Sequence, residues 1–297
     1  MLNLSVVIVN YNTGHLLADC LRSLLASQGS FTCQVTVVDN GSSDGSTTLV
    51  RQKFPQVHLL ENQENMGYAY ANNQGLKSRR ARYYLLLNPD TILPTDALEK
   101  MLAFMEERPE AGIAGPKLVM ADGRLDLACR RGFPTPQVSF YRMMGLSRLF
   151  PRSRRFARYN LAYLDPDQVT EVDSVVGAFM MIRDEVLRQI GYLDEEFFLY
   201  GEDLDFAYRA KEAGWKVYYN PEVTVLHYKR QSSQQNKERA HYEFYRAMYL
   251  FYRKHYASTT PFWLHLLVLL GLILRGGTPM LQVLFPKEGG QAKEVLS

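Results

Sequence analysis

The segment SVVIVNYN, at residues 5–12, sets the architecture of the N-terminal half of this chain. Its run of apolar, β-branched residues predicts a buried parallel strand over Leu4–Asn10. Further strands are predicted over Gln34–Asp39, Val57–Glu61 and Tyr83–Leu87, and a helix is predicted after each of them. Strands that alternate with helices in this way predict an α/β fold, in which a mostly parallel sheet is flanked by helices.

The regular alternation stops at about Ile113, and the second half of the chain is predicted to be less regular. The stretch Arg130–Val169 contains several prolines and predicts a long functional loop or lid. The other elements predicted there are a hairpin at Lys117–Leu127, strands at Glu171–Ile182, Lys216–Tyr219 and Thr224–His227, and helices that start near Asp184 and Asp203.

The C-terminal part of the chain is predicted to be helical and rich in aromatic residues. Phe262–Leu274 is apolar except for His265. A membrane-spanning helix needs about 20 residues, so we predict a packing or interfacial helix here. We expect a sheet-containing domain over residues 1–235, with halves at 1–112 and 113–235, followed by a helical segment over 236–297.

The composition is that of a globular protein, and a net charge of +3 is too small to indicate nucleic-acid binding. The arginines between Arg148 and Arg158 are crowded into one short stretch. They indicate an anionic partner such as phosphate or lipid headgroups, or alternatively a solvated loop.

The three cysteines, Cys20, Cys33 and Cys129, are widely spaced. They have neither metal-ligand spacing nor the pattern of a disulfide framework, which fits a reducing compartment. No basic region followed by a long apolar run is present at the N-terminus, so we expect no signal peptide. A cytoplasmic location is therefore predicted.

Polar residues follow the predicted strands at the points where those strands end. They are Asn10-Tyr11-Asn12, Asp39-Asn40 and Asn88-Pro89-Asp90. In open α/β sheets, ligands bind at the carboxyl ends of the strands. The sequence therefore predicts a ligand site at this edge of the sheet.

A cation site is suggested by Asn88-Pro89-Asp90. Mg²⁺ takes few carboxylates together with substrate phosphates, so Asp90 fits as a ligand and Asn88 as a weaker or ribose-contacting partner. The alternative is a plain β-turn, for which this tripeptide is also suited. His227 ends a predicted strand; a lone histidine is more often structural, although a neutral imidazole could complete a metal site beside Asp90.

Three acids, Glu202, Asp203 and Asp205, lie at the start of a predicted helix. A helix N-terminus favours the ionised form that a general base needs, while an N-cap is the structural alternative for Asp203. Asp39 can accept from a nucleobase or ribose hydroxyl, or it forms a turn. Gly67 allows close backbone approach to a ligand.

The order of these residues along the chain resembles that of family 2 glycosyltransferases, especially bacterial rhamnosyltransferase-like members. These enzymes have the GT-A fold, which is Rossmann-like. The resemblance spans about residues 5–228. The matching segments are SVVIVNYN at 5–12, VVDNGSSDGS at 37–46, ENMGYAYANNQGL at 64–76, YLLLNPDT at 84–91, VVGAFMMIRDEVLRQIGYLDEEFFLYGEDLDFAYRAKEAGW at 175–215 and HY at 227–228.

The resemblance implies a nucleoside-diphosphate-sugar donor, Mg²⁺ or Mn²⁺, and inversion at the anomeric carbon. It places Asp39 at the nucleotide base, Asp90 in the metal motif and the general base on Asp203, and it aligns His227 with a metal ligand of some GT-A enzymes. Asn88 departs from the Asp of many members. The remaining expected site residues are Asn10, Tyr11, Asn12, Asn40 and Gly67 for the nucleotide sugar, and Glu202, Asp205 and Gly177 for the acceptor or support.

The resemblance also favours dTDP-L-rhamnose as the donor and a glycan, free or polyprenyl-linked, as the acceptor. Together, the arginine cluster and the apolar helix predict peripheral contact with the inner face of a membrane. A sugar nucleotidyltransferase is the first alternative, although its usual glycine-rich, arginine-containing N-terminal loop is missing. An inactive nucleotide-sugar-binding protein is the second. A Rossmann oxidoreductase is disfavoured because no G-x-G-x-x-G follows the first strand.

Overall fold

The computed structural model describes residues 2–27, 29–228 and 237–284. The strands are β1 Leu2–Asn10, β2 Cys33–Asp39, β3 His58–Glu61, β4 Ala81–Leu87, β5 Thr91–Ile92, β6 Ala111–Val119, β7 Thr170–Val172, β8 Phe179–Arg183 and β9 Lys216–His227. The helices are α1 Gly14–Ala26, α2 Ser46–Lys53, α3 Tyr68–Ser78, α4 Ala97–Glu106, α5 Pro136–Met143, α6 Leu146–Leu149, α7 Asp184–Ile190, α8 Glu202–Glu212, α9 Lys237–His255, α10 Phe262–Gly276 and α11 Pro279–Leu284.

A single sheet forms the centre of the fold, with the strand order β3-β2-β1-β4-β8-β6-β9-β5 and with β7 paired to β9. From β3 to β4 all neighbours are parallel, which confirms the alternating pattern of the first half. Beyond β4 the sheet is mixed, because β8 runs antiparallel to both β4 and β6 whereas β6 and β9 are parallel.

The packing around β1 explains why the strand ends form one edge. Val6, Val7 and Ile8 are fully buried. A Cβ at Gly75 of α3 would lie only 2.3 Å from Val7 Cγ1, so this glycine lets the helix pack directly on the sheet. The parallel register pairs Asn10 with Asp39. Both polar residues therefore leave the sheet at the same level.

Several boundaries predicted for the second half are wrong. Glu171–Ile182 is not one strand: β7 pairs with β9, and β8 lies between β4 and β6. The strands predicted at Lys216–Tyr219 and Thr224–His227 are one, β9, whose ladder with β6 has a register shift. The stretch predicted as a long loop at Arg130–Val169 contains α5 and α6. Local sequence did not reveal these features because strand pairing is decided by distant partners.

The C-terminal helices pack on the sheet domain through α8 and α9. Phe197 and Leu204 form an apolar cluster with Ala247, Leu250 and Phe251 of α9. The predicted domain boundary at 235/236 lies outside the described residues, as does the tail from 285 to 297. In the described part of the chain, no helix is long and apolar enough to cross a membrane.

Candidate active site

The ends of β1 and β2 are held together by a network of polar side chains. Asn10 Nδ2 donates to Asp39 Oδ2 at 2.8 Å, and Asp39 Oδ1 accepts from the Ser42 backbone N–H at 2.8 Å. Asn12, with a positive φ of 51°, donates its backbone N–H to Ser42 Oγ. Asp39 is 2% exposed, so its carboxylate is fixed by these bonds. Tyr11 lies half-buried between the two asparagines.

A second polar network joins this strand-end loop to the start of α3. Asn40 Oδ1 accepts from Asn62 Nδ2 and the Met66 N–H, and Asn40 Nδ2 donates to the Gly67 carbonyl oxygen. Gly67 has a φ of 91°, and a Cβ there would lie 2.8 Å from the Phe198 ring. Only glycine therefore lets this turn pack on the chain segment that precedes α8.

Tyr68, which follows Gly67, connects the two halves of the molecule. Its hydroxyl lies within donor distance of Asn88 Oδ1, at 2.9 Å, and of the Gly177 carbonyl oxygen, at 3.1 Å. Burial, and then the charges of Glu202, Asp203 and Asp90, raise the pKa of Tyr68 well above its ordinary value, so the phenol stays a donor. Asn88 is thus turned toward Tyr68.

Asp203 is held by bonds from three different parts of the chain. Its Oδ2 accepts from Arg131 Nη2 at 2.6 Å and from the Gly177 N–H at 3.1 Å, and its Oδ1 accepts from the Leu204 N–H at 2.7 Å. Gly201 precedes α8, so Asp203 is the second residue of the helix and not its N-cap. The carboxylate is 5% exposed and is oriented before any substrate arrives.

Arg131 was not identified from the sequence. It lies in the stretch interpreted there as an irregular loop, and no local motif marks it. Its guanidinium is buried and also donates to the Val175 carbonyl oxygen at 2.9 Å, while its Nε has no partner among the described residues. Burial lowers the pKa of Arg131, but the interactions with Asp203 and Tyr159 together outweigh burial and raise it, so the arginine stays protonated.

The two acids beside Asp203 differ from each other. Glu202 is buried and its Oε2 has no partner among the described residues. Burial, and then the charge of Asp203, raise its pKa to about 8. Asp205 instead pairs with Arg209 at 2.7 Å and His255 at 2.8 Å. Its Oδ2 binds Arg209 within α8 and its Oδ1 binds His255 of α9, so Asp205 joins the two helices and has a structural task.

The residues expected to bind a metal lie in contact with each other. His227 Nε2 lies 3.3 Å from Asp90 Oδ1, and His227 Nδ1 lies 3.0 Å from Asp126 Oδ2. Burial lowers the pKa of His227, but the carboxylates of Asp126 and Asp90 outweigh burial and raise it to about 9. The pairing of β5 with β9, which places Thr91 opposite His227, brings the two ligands together.

Asp90 and His227 could supply some, but not all, of the ligands of a divalent cation. Asp90 Oδ1 is buried, and its contact with His227 Nε2 at 3.3 Å lacks the geometry of a hydrogen bond, so both atoms are available to an ion. No group of three His, Cys, Asp or Glu side chains in the described ranges could hold an ion without help. Substrate phosphates normally complete such sites.

The chain matches the family model "Glycosyltransferase like family 2" over residues 3–242. It is therefore a member of the family 2 glycosyltransferases. The fold and the arrangement of polar strand ends agree with that assignment, and the resemblance read from the sequence is confirmed.

Two curated relatives are similar over most of the chain. An N-acetylglucosaminyl-diphospho-decaprenol L-rhamnosyltransferase of Mycobacterium tuberculosis is 29% identical over 242 residues, which cover 77% of each protein. A low-salt glycan biosynthesis hexosyltransferase of Haloferax volcanii is 28% identical, covering 76% of this chain and 67% of its own. Both are glycosyltransferases.

Solved structures share the fold at low sequence identity. A mannosyltransferase of Pyrobaculum calidifontis, in complex with GDP-mannose and Mn²⁺, superimposes with a TM-score of 0.58 and 15% identity over 95% of this chain and 78% of its own. TarS residues 1–349 of S. aureus give 0.56 and 17% identity over 99% and 75%. The predicted α/β, GT-A-type sheet flanked by helices is thereby confirmed.

Proposed function

We propose that this glycosyltransferase inverts the anomeric centre of its donor and uses Asp203 as the general base. The observation that carries the proposal is the position of Asp203: the Gly177 N–H binds its carboxylate, and the Gly177 carbonyl accepts from Tyr68, which also bonds Asn88. A base is therefore tied to the strand end where a donor diphosphate is expected.

We assign dTDP-L-rhamnose as the donor and a polyprenyl-linked glycan of the cell surface as the acceptor. The support is the mycobacterial relative, whose name describes transfer of L-rhamnose to N-acetylglucosaminyl-diphospho-decaprenol. Asp39, Asn40 and the loop around Asn12 would hold the nucleotide at the ends of β1 and β2. Asn10 would keep Asp39 in position through their 2.8 Å bond.

The reaction is a single displacement. The acceptor hydroxyl oxygen forms a bond to the anomeric carbon while the bond from that carbon to the diphosphate oxygen breaks, and the hydroxyl proton passes to Asp203. Oδ1 accepts only the Leu204 N–H among the described residues, so a lone pair remains for this proton. Arg131 holds Oδ2 through an ion pair of 2.6 Å.

Asp90 and His227 would hold Mg²⁺ or Mn²⁺, which when bound supplies positive charge beside the diphosphate. A cation bound there is consistent with the Mn²⁺ in the complex of the Pyrobaculum calidifontis mannosyltransferase. Asn88 would contribute to the donor site through its bond to Tyr68.

The test is the Asp203→Asn variant, assayed with dTDP-L-rhamnose and a short-chain polyprenyl-diphospho-N-acetylglucosamine acceptor for release of dTDP. General-base help contributes about 10²–10⁴-fold, so we expect turnover to fall by that factor while donor affinity, measured by calorimetry, changes little. Asp122→Asn, at an exposed turn, is the matched control and should turn over normally. Wild-type turnover by Asp203→Asn would refute the assignment of the base.

A further inference from the structure

Two segments that are distant in the sequence expose apolar side chains. Six apolar residues of α10 are 49% to 75% exposed, and they lie in two adjoining rows with four-residue spacing. They are Phe262, Trp263, Leu266, Leu267, Leu270 and Leu274. The opposite side of α10 packs on α9, where His265 Nδ1 lies 2.7 Å from the Tyr252 hydroxyl. On α6 and its flanks, Met144, Leu149 and Phe150 are also exposed.

The structure joins these two segments into one surface. The carbonyl oxygen of Met143, at the end of α5, accepts from Arg275 Nη2 of α10 at 3.4 Å. The Met143 sulfur would lie 3.4 Å from a Cβ at Gly271, so the side chain lies against α10. We call residues 136–150 together with 262–276 the α5–α10 surface. From the sequence alone, the arginine cluster and the apolar helix were connected only because both are suited to a membrane surface.

The rim of this surface is strongly basic. Arg142, Arg148, Arg152, Arg154, Arg155 and Arg158 are all exposed. No Asp or Glu occurs from position 127 to 164, nor from 256 to 284. Within the described ranges none of the six arginines forms an ion pair. An apolar face with an uncompensated cationic rim is complementary to anionic headgroups above acyl chains.

We propose that the α5–α10 surface seats the protein on an anionic lipid bilayer. The 15 residues of α10 span about 22 Å at the rise of an α-helix. This is shorter than the hydrocarbon core of about 30 Å, so α10 lies along the interface. Phe262 and Trp263 enter at the headgroup level, where aromatic side chains are favoured. The arginines bind the lipid phosphates.

A second copy of this chain would fit the surface less well. In a two-fold dimer the same patch meets itself, so the arginine rims would face each other without acidic partners. Like charges that meet in this way oppose association. A bilayer instead supplies the missing negative charge.

The surface is joined to the site by a short connection. Arg131, which holds Asp203, lies just before α5, and between them Phe133 packs on Tyr208 of α8 at a ring distance of 5.0 Å. A bilayer on α5 would therefore lie near the part of the chain that positions the base. The inference rests on the proposed function for its lipid-linked acceptor, but lipid binding is measured independently of turnover.

The experiment is co-sedimentation of the full chain with vesicles of equal parts phosphatidylglycerol and phosphatidylcholine, compared with phosphatidylcholine alone. The test variant is Arg148→Gln/Arg152→Gln/Arg154→Gln, because these side chains form no hydrogen bond, ion pair or cation–π contact within the described structure. The matched control, Lys53→Gln/Arg79→Gln/Arg80→Gln, removes equal charge near α2 and before β4. A third variant, Phe262→Gln/Trp263→Gln/Leu274→Gln, removes exposed apolar groups.

We expect wild-type protein and the control to bind the anionic vesicles and to dissociate in high salt. Each arginine near an anionic surface contributes about a factor of five, so the test variant should partition roughly 100-fold more weakly. The apolar variant should also lose binding while keeping its melting temperature. Equal binding by the test and control variants, or none by the wild type, would overturn the proposal. The proposal would also be overturned if the wild-type protein self-associated without binding vesicles and only the apolar variant abolished that self-association.

Release of dTDP from dTDP-L-rhamnose in the presence of the same short-chain acceptor, without vesicles, separates this inference from the proposed function. The arginine variant should release dTDP at the wild-type rate. Vesicle binding by a wild-type protein that releases no nucleotide would contradict the proposed function and support the bilayer seat. Nucleotide release without vesicle binding would contradict only the bilayer seat.

Discussion

The two halves of the site are built in different ways. At the proposed donor side, the ends of β1 and β2 carry neutral amides and one carboxylate, and the bonds of Asn10, Asp39 and Asn40 stay within loops that follow neighbouring strands. At the proposed acceptor side, Arg131, Gly177 and Asp203 come from separate regions; Arg131 and Asp203 form a buried ion pair, and the Gly177 N–H donates to the same carboxylate.

This difference predicts which half is more sensitive to change. A polar network of neutral groups contributes about 0.5–1.5 kcal/mol per hydrogen bond. Removing one partner of a buried ion pair leaves an uncompensated charge, which costs about 3–5 kcal/mol. Substitutions on the acceptor side should therefore change stability more than substitutions on the donor side.

The largest effect is expected for Arg131→Gln. The variant leaves Asp203 buried without its cation, so the free energy of unfolding should fall by about 3–5 kcal/mol. Urea denaturation measures this. Arg131→Lys keeps the charge and should restore part of the lost stability. A variant as stable as the wild type would show that the two halves do not differ as described.

A smaller effect is expected for Asp90→Asn. It is measured by calorimetry, as the affinity for the donor with and without Mn²⁺. We expect the affinity gained from Mn²⁺ to fall by about 100-fold or more, since removing even an outer partner of a ligand costs about 10–100-fold. Asp126→Asn removes such an outer partner of His227 and should give the lesser loss. Unchanged Mn²⁺ dependence in Asp90→Asn would remove Asp90 from the metal site.

The next effect depends on pH and concerns Glu202→Gln. Because folding raises the pKa of Glu202 from 4.5 to about 8, the folded state binds more protons in that window and loses stability as pH rises through it. At pH 9 the variant should melt above the wild type, and at pH 4 the two should coincide. A constant difference across pH would contradict the assignment.

The smallest effect is expected for Tyr68→Phe, at the junction of the two halves. The change removes one hydroxyl and its bonds to Asn88 and Gly177, which should cost about 1 kcal/mol of stability. Tyr70→Phe, on the same helix, is the control. If Tyr68 couples the halves, a double-mutant cycle with Asp203→Asn will be non-additive in turnover. Additive losses would mean that the halves act independently.

Much of the donor side could be predicted because its residues follow strands whose pattern is local. The β-branched run before Asn10 and the one before Asp39 each define a parallel strand, and parallel strands end at one edge. Arg131 and Tyr68 could not be found in this way. Their roles come from contacts with residues 72 and 109 positions away, respectively, and no local pattern encodes such partners.

The sequence by itself determined the α/β class, the sites of the polar strand ends and the acidic start of α8, because periodicity and turn chemistry act over a few residues. Only the tertiary structure decided that β8 runs antiparallel beside β4, that Arg131 pairs with Asp203, and that α5 meets α10. These contacts depend on which distant apolar surfaces pack against each other and exclude water. Burial of that kind is a property of the folded chain as a whole.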